Sequence, residues 1–276
     1  MGLFFNYDKP GPGVDKDAPR RRGIFLYFEL LWRNFGKMFT SSMLYFVTSL
    51  PVLFLYHFIV TSVFGNIAPE MTGSVELAQL TVIFTALLAI FWGTGPVSCG
   101  YAYVMRNTAR EEHVWLFSDY FQKTRESFWR GLLFLVVDMV VLLFTSVAIW
   151  TYWGMAQKSG GIFTVLFFIS IFVFAIYSAM HFYIYQFEVT FSGSIISVYK
   201  NSLIMTLATL PMCILISAII YFITTFIMSF LTPLGVILVA FLCWISFMRF
   251  AIDFYSARVI EKKLISKMKA PEEDDE

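Results

Sequence analysis

Six apolar runs, each long enough to cross the hydrocarbon core of a bilayer, limit what this chain can become. They lie at about 43–64, 77–104, 131–153, 161–187, 205–230 and 234–256. A helix needs about 20 residues to cross about 30 Å of hydrocarbon. No water is available there, so every backbone N–H and C=O must bond within the protein, and apolar runs of this length become helices. Composition points the same way. The chain is 58% hydrophobic, 19% aromatic and only 14% charged, whereas a soluble domain carries about 25% charged residues. The expected fold is an all-α bundle of six transmembrane helices with amphipathic inner-face helices.

The net charge of +1 hides a strong segregation. Residues 1–22 carry Arg20, Arg21 and Arg22 and the helix-breaking Pro10-Gly11-Pro12-Gly13, and read as an irregular cytoplasmic arm without the apolar core of a signal peptide. Residues 23–256 form the six-span domain, with connectors at 105–130 and 188–204. Residues 257–276 are a tail, basic (Arg258, Lys262, Lys263, Lys267, Lys269) and then acidic. Placing both termini and these two connectors in the cytoplasm puts 19 of the 20 Lys and Arg residues at or near the inner face, leaving Lys158 outside with Glu70 and Glu76. The positive-inside rule therefore predicts N-in and C-in. Between the arm and the first span, residues 23–40 place Glu29, Arg33 and Lys37 on one helical face and Phe25, Phe28, Leu31, Trp32 and Phe35 over the rest, a helix suited to the inner interface. Trp150, Tyr152 and Trp153 read as an outer aromatic belt, and Trp115 and Trp129 as an inner one. The basic juxtamembrane cluster predicts attraction to anionic lipid.

The longest polar connector lies in the run from Gly95 through Arg130, with YVMRNTAREEHVWLFSDYFQ at its centre, and the chain opens with FNYDKPGPGVDKDAPRRRG (Phe5 to Gly23). In these two stretches the chain resembles the YesL family of bacterial multipass membrane proteins, the opening resembling a clostridial-type subset. The resemblance implies residence in a bacterial cell membrane and association with a carbohydrate ABC importer. Its expected partners are thus membrane lipid and the importer's permease subunits, with no nucleic acid. The function implied is a non-catalytic accessory or assembly subunit. A docking surface for such a partner would sit where the resemblance is strongest, at Arg106, Arg110, Glu111, Glu112, His113, Trp115, Phe117, Asp119 and Tyr120. Aromatics with a few charges suit a protein interface.

Polar residues inside the spans carry the competing reading, a small-solute transporter or channel. Asp138 lies about 10 Å inside span three and Arg249 at a similar depth in span six. The two are expected to approach each other, with Asp253 competing for the guanidinium from one turn away. They form either a proton or ion relay or a structural ion pair that fixes spans three and six. Gly93, Gly95, Pro96 and Gly100 interrupt span two. Either they break the helix at a substrate site, or they let a neighbouring helix pack closely. Pro211 offers an ill-matched second break. His57 and His181 are single histidines, read as hydrogen-bonded to neighbours. Glu111, Glu112 and His113 point in different directions along a helix and cannot face one metal. Cys99, Cys213 and Cys243 are isolated fillers. No phosphate loop, nucleophile elbow, HExxH or CxxC occurs. No enzyme activity and no cofactor is expected.

Overall fold

The computed structural model describes residues 23–67 and 73–265. The arm at 1–22, Glu70, and the tail from residue 266, with Lys267, Lys269 and its acidic end, lie outside the described residues. No strand occurs among the described residues. In chain order the helices are α1 (Ile24–Arg33), α2 (Phe35–Ile67), α3 (Val75–Phe91), α4 (Pro96–Ala109), α5 (Leu116–Glu126), α6 (Phe128–Ser159), α7 (Ile162–Thr190), α8 (Ile195–Ala208), α9 (Leu210–Ser229), α10 (Pro233–Val239) and α11 (Ile245–Ile260). A π-helical turn, Ala240–Trp244, joins α10 to α11, and a second, Glu261–Ile265, continues α11.

The chain is an all-α multipass membrane protein. Five helical stretches are long and apolar enough to cross a bilayer alone: α2, α6, α7, α9 and the continuous run Pro233–Ile265. The sixth span is α3 and α4 together, bent by 61° at the break between them. A re-entrant loop must turn back to the face it entered. A 61° bend keeps the chain moving forward: α3 rises about 25 Å, and α4 adds about 10 Å in the same direction.

The element boundaries differ from the sequence expectation in three places, each for a local reason. The interfacial helix ends at Arg33 rather than at 40, because the Asn34 side chain turns back onto the Leu30 carbonyl, and α2 starts at Phe35. Its apolar face stays exposed at Ile24, Phe25, Phe28 and Trp32, while Leu30 is buried and Tyr27 stacks on Phe250 at 5.5 Å. The 188–204 connector is mostly helix: α7 runs to Thr190, and α8 begins after Ser194, whose hydroxyl caps the Ser197 amide. Span five then starts at Leu210, with Pro211 in the first turn of α9 rather than as a mid-span break.

Helix C-termini leave carbonyls that need partners. In this bundle, long polar side chains from other helices cap them. Arg106 donates to Val189 O (2.6 Å) and Thr190 Oγ1 (3.1 Å) at the end of α7. Arg258 donates to Ala109 O (3.2 Å), the end of α4, and Lys263 to Ala208 O (3.4 Å), the end of α8. Gln79 reaches Met228 O, Ser229 O and Leu231 O at 2.7–3.1 Å after α9. A cation at a helix C-terminus also meets the negative end of the helix dipole.

These contacts sort the molecule into two ends. Arg33 bonds Glu111 at 2.7 Å, and Arg130 grips Glu188 with two bonds of 2.6 and 2.7 Å. So the starts of α2 and α6 and the ends of α4, α7, α8 and α11 share a basic end. The start of α3 and the end of α9 share the opposite end, through Gln79. Six alternating spans produce this arrangement, with both outermost helices at the basic end.

Candidate functional site

The break between α3 and α4 builds the polar centre of the bundle. Gly93 and Gly95 hold φ of 79° and 71°, the left-handed region that other residues rarely adopt. A Cβ on Gly93 would lie 2.6 Å from Ser98 Oγ, 2.8 Å from Tyr185 Cε2 and 3.0 Å from an Arg249 nitrogen. Pro96 then starts α4, where its missing N–H costs nothing. Three of the freed backbone groups are engaged by side chains. Thr94 N–H donates to Ser98 Oγ at 2.7 Å, Gly95 N–H donates to Tyr185 Oη at 3.2 Å, and Tyr56 Oη donates to Gly93 O at 2.9 Å.

Arg249, only 2% exposed, caps the end of α3: its Nη1 donates to Ala89 O (3.1 Å) and Ile90 O (3.4 Å). Its guanidinium stands 5.3–5.8 Å from the ring centres of Tyr45, Tyr101 and Tyr185, a cage that offers three π-faces to a desolvated cation. Asp253 Oδ2 lies 3.9 Å from Arg249 Nε, the one-turn pairing the sequence predicts, and its Oδ1 accepts from Gln186 at 2.9 Å. The π-helical turn Ala240–Trp244 sits just before this stretch, and Tyr101 and Ser41 bond to Ser246 beyond it.

Asp138 does not pair with Arg249. Its Oδ1 accepts from Tyr177 Oη at 2.7 Å and lies 3.0 Å from His181 Nε2, both on α7. The physical reason is helix orientation. α6 and α7 form a hairpin, so the face of α6 that carries Asp138 turns toward α7, while Arg249 is drawn to the open carbonyls of α3. Tyr185 stands between the two, its ring centre 5.3 Å from the Arg249 guanidinium and 6.2 Å from the His181 ring. His181 is sandwiched in turn: Trp92 stacks on it with 5.5 Å between centres and 5° between planes, and Trp92 Nε1 donates to Ser178 Oγ at 2.8 Å. A cleft of about 390 Å³ between α3, α7 and α9 reaches Trp92 and Ser178.

Both readings of the small residues in α3–α4 are realised, at different positions. Gly93 and Gly95 make the break. Gly100 lets α4 pack against the Tyr120 backbone and Thr124 of α5, and Gly131 on α6 admits Pro96, whose Cα lies 2.6 Å from where a Cβ would stand. His57 lies apart, with Nδ1 3.3 Å from Thr85 Oγ1. Cys99 and Cys213 are buried thiols and Cys243 is half-buried.

The proposed docking residues separate into two groups. Glu112, His113, Trp115, Phe117 and Asp119 lie on or beside an exposed edge, with Trp115 70% and Phe117 58% exposed. Tyr120 is buried and hydrogen-bonds Thr48 at 2.6 Å, so it belongs to the interior and corrects the expectation. Arg106 is spent on the end of α7, Glu111 on Arg33, and Arg110 lies 3.8 Å from Glu112.

Comparison with known protein families, curated proteins and solved structures returns no match. The resemblance to YesL proteins accordingly rests on the two stretches of sequence that carry it.

Proposed function

We propose that this protein is a membrane carrier for a small polar solute, bound beside the Gly93–Pro96 break. The observation that carries this reading is the convergence of Asp138, His181, Arg249, Asp253 and Gln186, all buried, around unwound backbone inside the bundle. Ionisable residues are costly in a membrane and concentrate where ions or solutes pass. Broken helices mark the substrate sites of many carriers. Asp138 Oδ2 and Gln186 Oε1 are buried without a hydrogen-bond partner, each an acceptor open to a solute that carries hydroxyl or amino groups.

The test is uptake by liposomes containing the purified full-length protein, with labelled sugars, polyols, amino acids and small ions. Uptake of one class above protein-free liposomes, lost in Arg249→Gln and in Asp253→Asn proteins that still extract as folded bundles, is expected. Uptake of none of these classes would sink the carrier reading.

The exposed aromatics of the basic end favour a second reading, the one the YesL resemblance implies: a non-catalytic accessory subunit of a carbohydrate ABC importer in a bacterial cell membrane. Trp115 and Phe117 with Glu112 and Arg110 at their rim have the composition of a protein contact. Extraction from the native membrane in mild detergent separates the two. An accessory subunit runs with permease and solute-binding subunits, and charge reversal at Arg110 loosens that assembly. A carrier runs alone or with copies of itself.

A further inference from the structure

We infer that the Asp138–His181 pair is a proton-binding site, and that protons are what the carrier couples to its solute. His181 Nδ1 lies 3.0 Å from the Tyr177 carbonyl. A carbonyl only accepts, so Nδ1 carries a hydrogen and donates. The 3.0 Å contact between Nε2 and Asp138 Oδ1 therefore holds one proton, on the ring as an imidazolium or on the acid as a neutral carboxyl. Tyr177 Oη donates to the same Oδ1, while Oδ2 is buried with no partner. A second proton can settle on Oδ2 without displacing any hydrogen bond, and the first can leave only by abandoning a charge in the bundle.

The charges of the core make that proton count consequential. Arg249 contributes +1, Asp253 −1 and the singly protonated pair 0, a neutral sum. Losing the proton leaves −1, and gaining one leaves +1. Buried among apolar and aromatic side chains, either is costly alone, so proton uptake or release favours movement of a charged solute or opening of the site. The groups that face the pair are Tyr56 from α2, the Trp92 ring beyond α3, Tyr177 and Tyr185 from α7, Tyr199 from α8, and Arg249 from α11 through Tyr185. Tyr199 of α8 adds a further phenol: its hydroxyl is buried and neighbours Tyr177, so Tyr199, Tyr177, Asp138 and His181 form a cluster of proton-bearing groups inside the bundle. A metal cation is the poorer occupant. It needs several oxygen ligands, whereas the neighbours of Asp138 Oδ1 are a phenol that donates to it and an imidazole nitrogen.

The carrier reading is needed only for what the proton does; proton exchange can be measured without transport. In the full-length protein in lipid nanodiscs, ¹⁵N NMR of labelled histidine reads the protonation of His181 Nε2, assigned as the signal absent from His181→Gln. Across roughly pH 5–9 that signal is expected to change protonation, with a midpoint moved in Asp138→Asn. Tyr177→Phe, which removes a single donor, should move it less and serves if Asp138→Asn does not fold. A Nε2 signal constant over the range, or one that titrates identically in the variants, overturns the proton site. In the liposomes described above, an imposed proton gradient should drive solute uptake several-fold. Solute uptake indifferent to the gradient overturns coupling and leaves the carrier standing. Titration without any solute movement overturns the carrier and leaves the proton site.

Discussion

Arg249 shows how a single residue serves the break. It closes the carbonyl end of α3, lies in a cage of tyrosines and neighbours Asp253. Removing one partner of such a buried set leaves the other charge uncompensated, at a cost of about 3–5 kcal/mol. Arg249→Met should lose that much stability in chemical unfolding from detergent micelles, and adding Asp253→Asn should recover part of it. Equal losses for the single and double variants would show that the two residues do not compensate each other. The exposed pair Arg33–Glu111 sets the opposite limit: Glu111→Ala should cost under about 1 kcal/mol. Glu188→Ala should cost more, because Glu188 is nearly buried and takes a two-pronged contact from Arg130. Asp138, Arg249 and Asp253 were all legible in the sequence as charges inside apolar runs. The partner of Asp138 was not. Sequence distance gives depth along a helix but not the direction its face turns, and the tyrosines that complete the network count as apolar in any composition.

At the scale of elements, the α3–α4 break depends on its glycines more than on Pro96, which sits where a helix can begin. Gly93→Ala combines a φ of 79° with atoms of Ser98, Tyr185 and Arg249 inside 3.0 Å of the new methyl. A loss of about 1–3 kcal/mol is expected from the backbone strain alone. Gly154→Ala on α6 meets nothing within 4 Å and should be neutral or stabilising by up to about 1 kcal/mol. Thermal unfolding of the two purified variants compares them, and equal midpoints would refute the role given to Gly93. The position of the break was readable from Gly-Thr-Gly-Pro. That Gly100 serves packing against α5 instead was not readable, because both uses demand the same small residue.

At the scale of the molecule, capping and topology are linked. Arg33, Arg106, Arg130, Arg258 and Lys263 gather at one end because helix C-termini and carboxylates there receive them. The positive-inside rule assigns that end to the cytoplasm. Single cysteines at Lys200 and Gln157, both exposed and at opposite ends, test this. A membrane-impermeant thiol reagent should reach Lys200→Cys only from the cytoplasmic side and Gln157→Cys only from the other. Labelling of both from one side would break the α6–α7 hairpin, and reversed sidedness, Gln157→Cys reached only from the cytoplasm, would overturn the reading of α3–α4 as one bent span.

The amino-acid sequence by itself determined the solvent and the class, while the angle at the α3–α4 break decided the sixth crossing. Apolar length and the placement of charge are properties of the chain that the bilayer reads directly, whatever the helices do to one another. It also marked where span two would fail, since Gly and Pro act locally on the backbone. Only the tertiary structure decided which way each helix turns. That rotation placed His181 and Tyr177 against Asp138, sent Arg249 to the open carbonyls of α3, and drew Tyr120 into the core. Helix rotation is set by packing among all the neighbours at once, so no single run of sequence contains it.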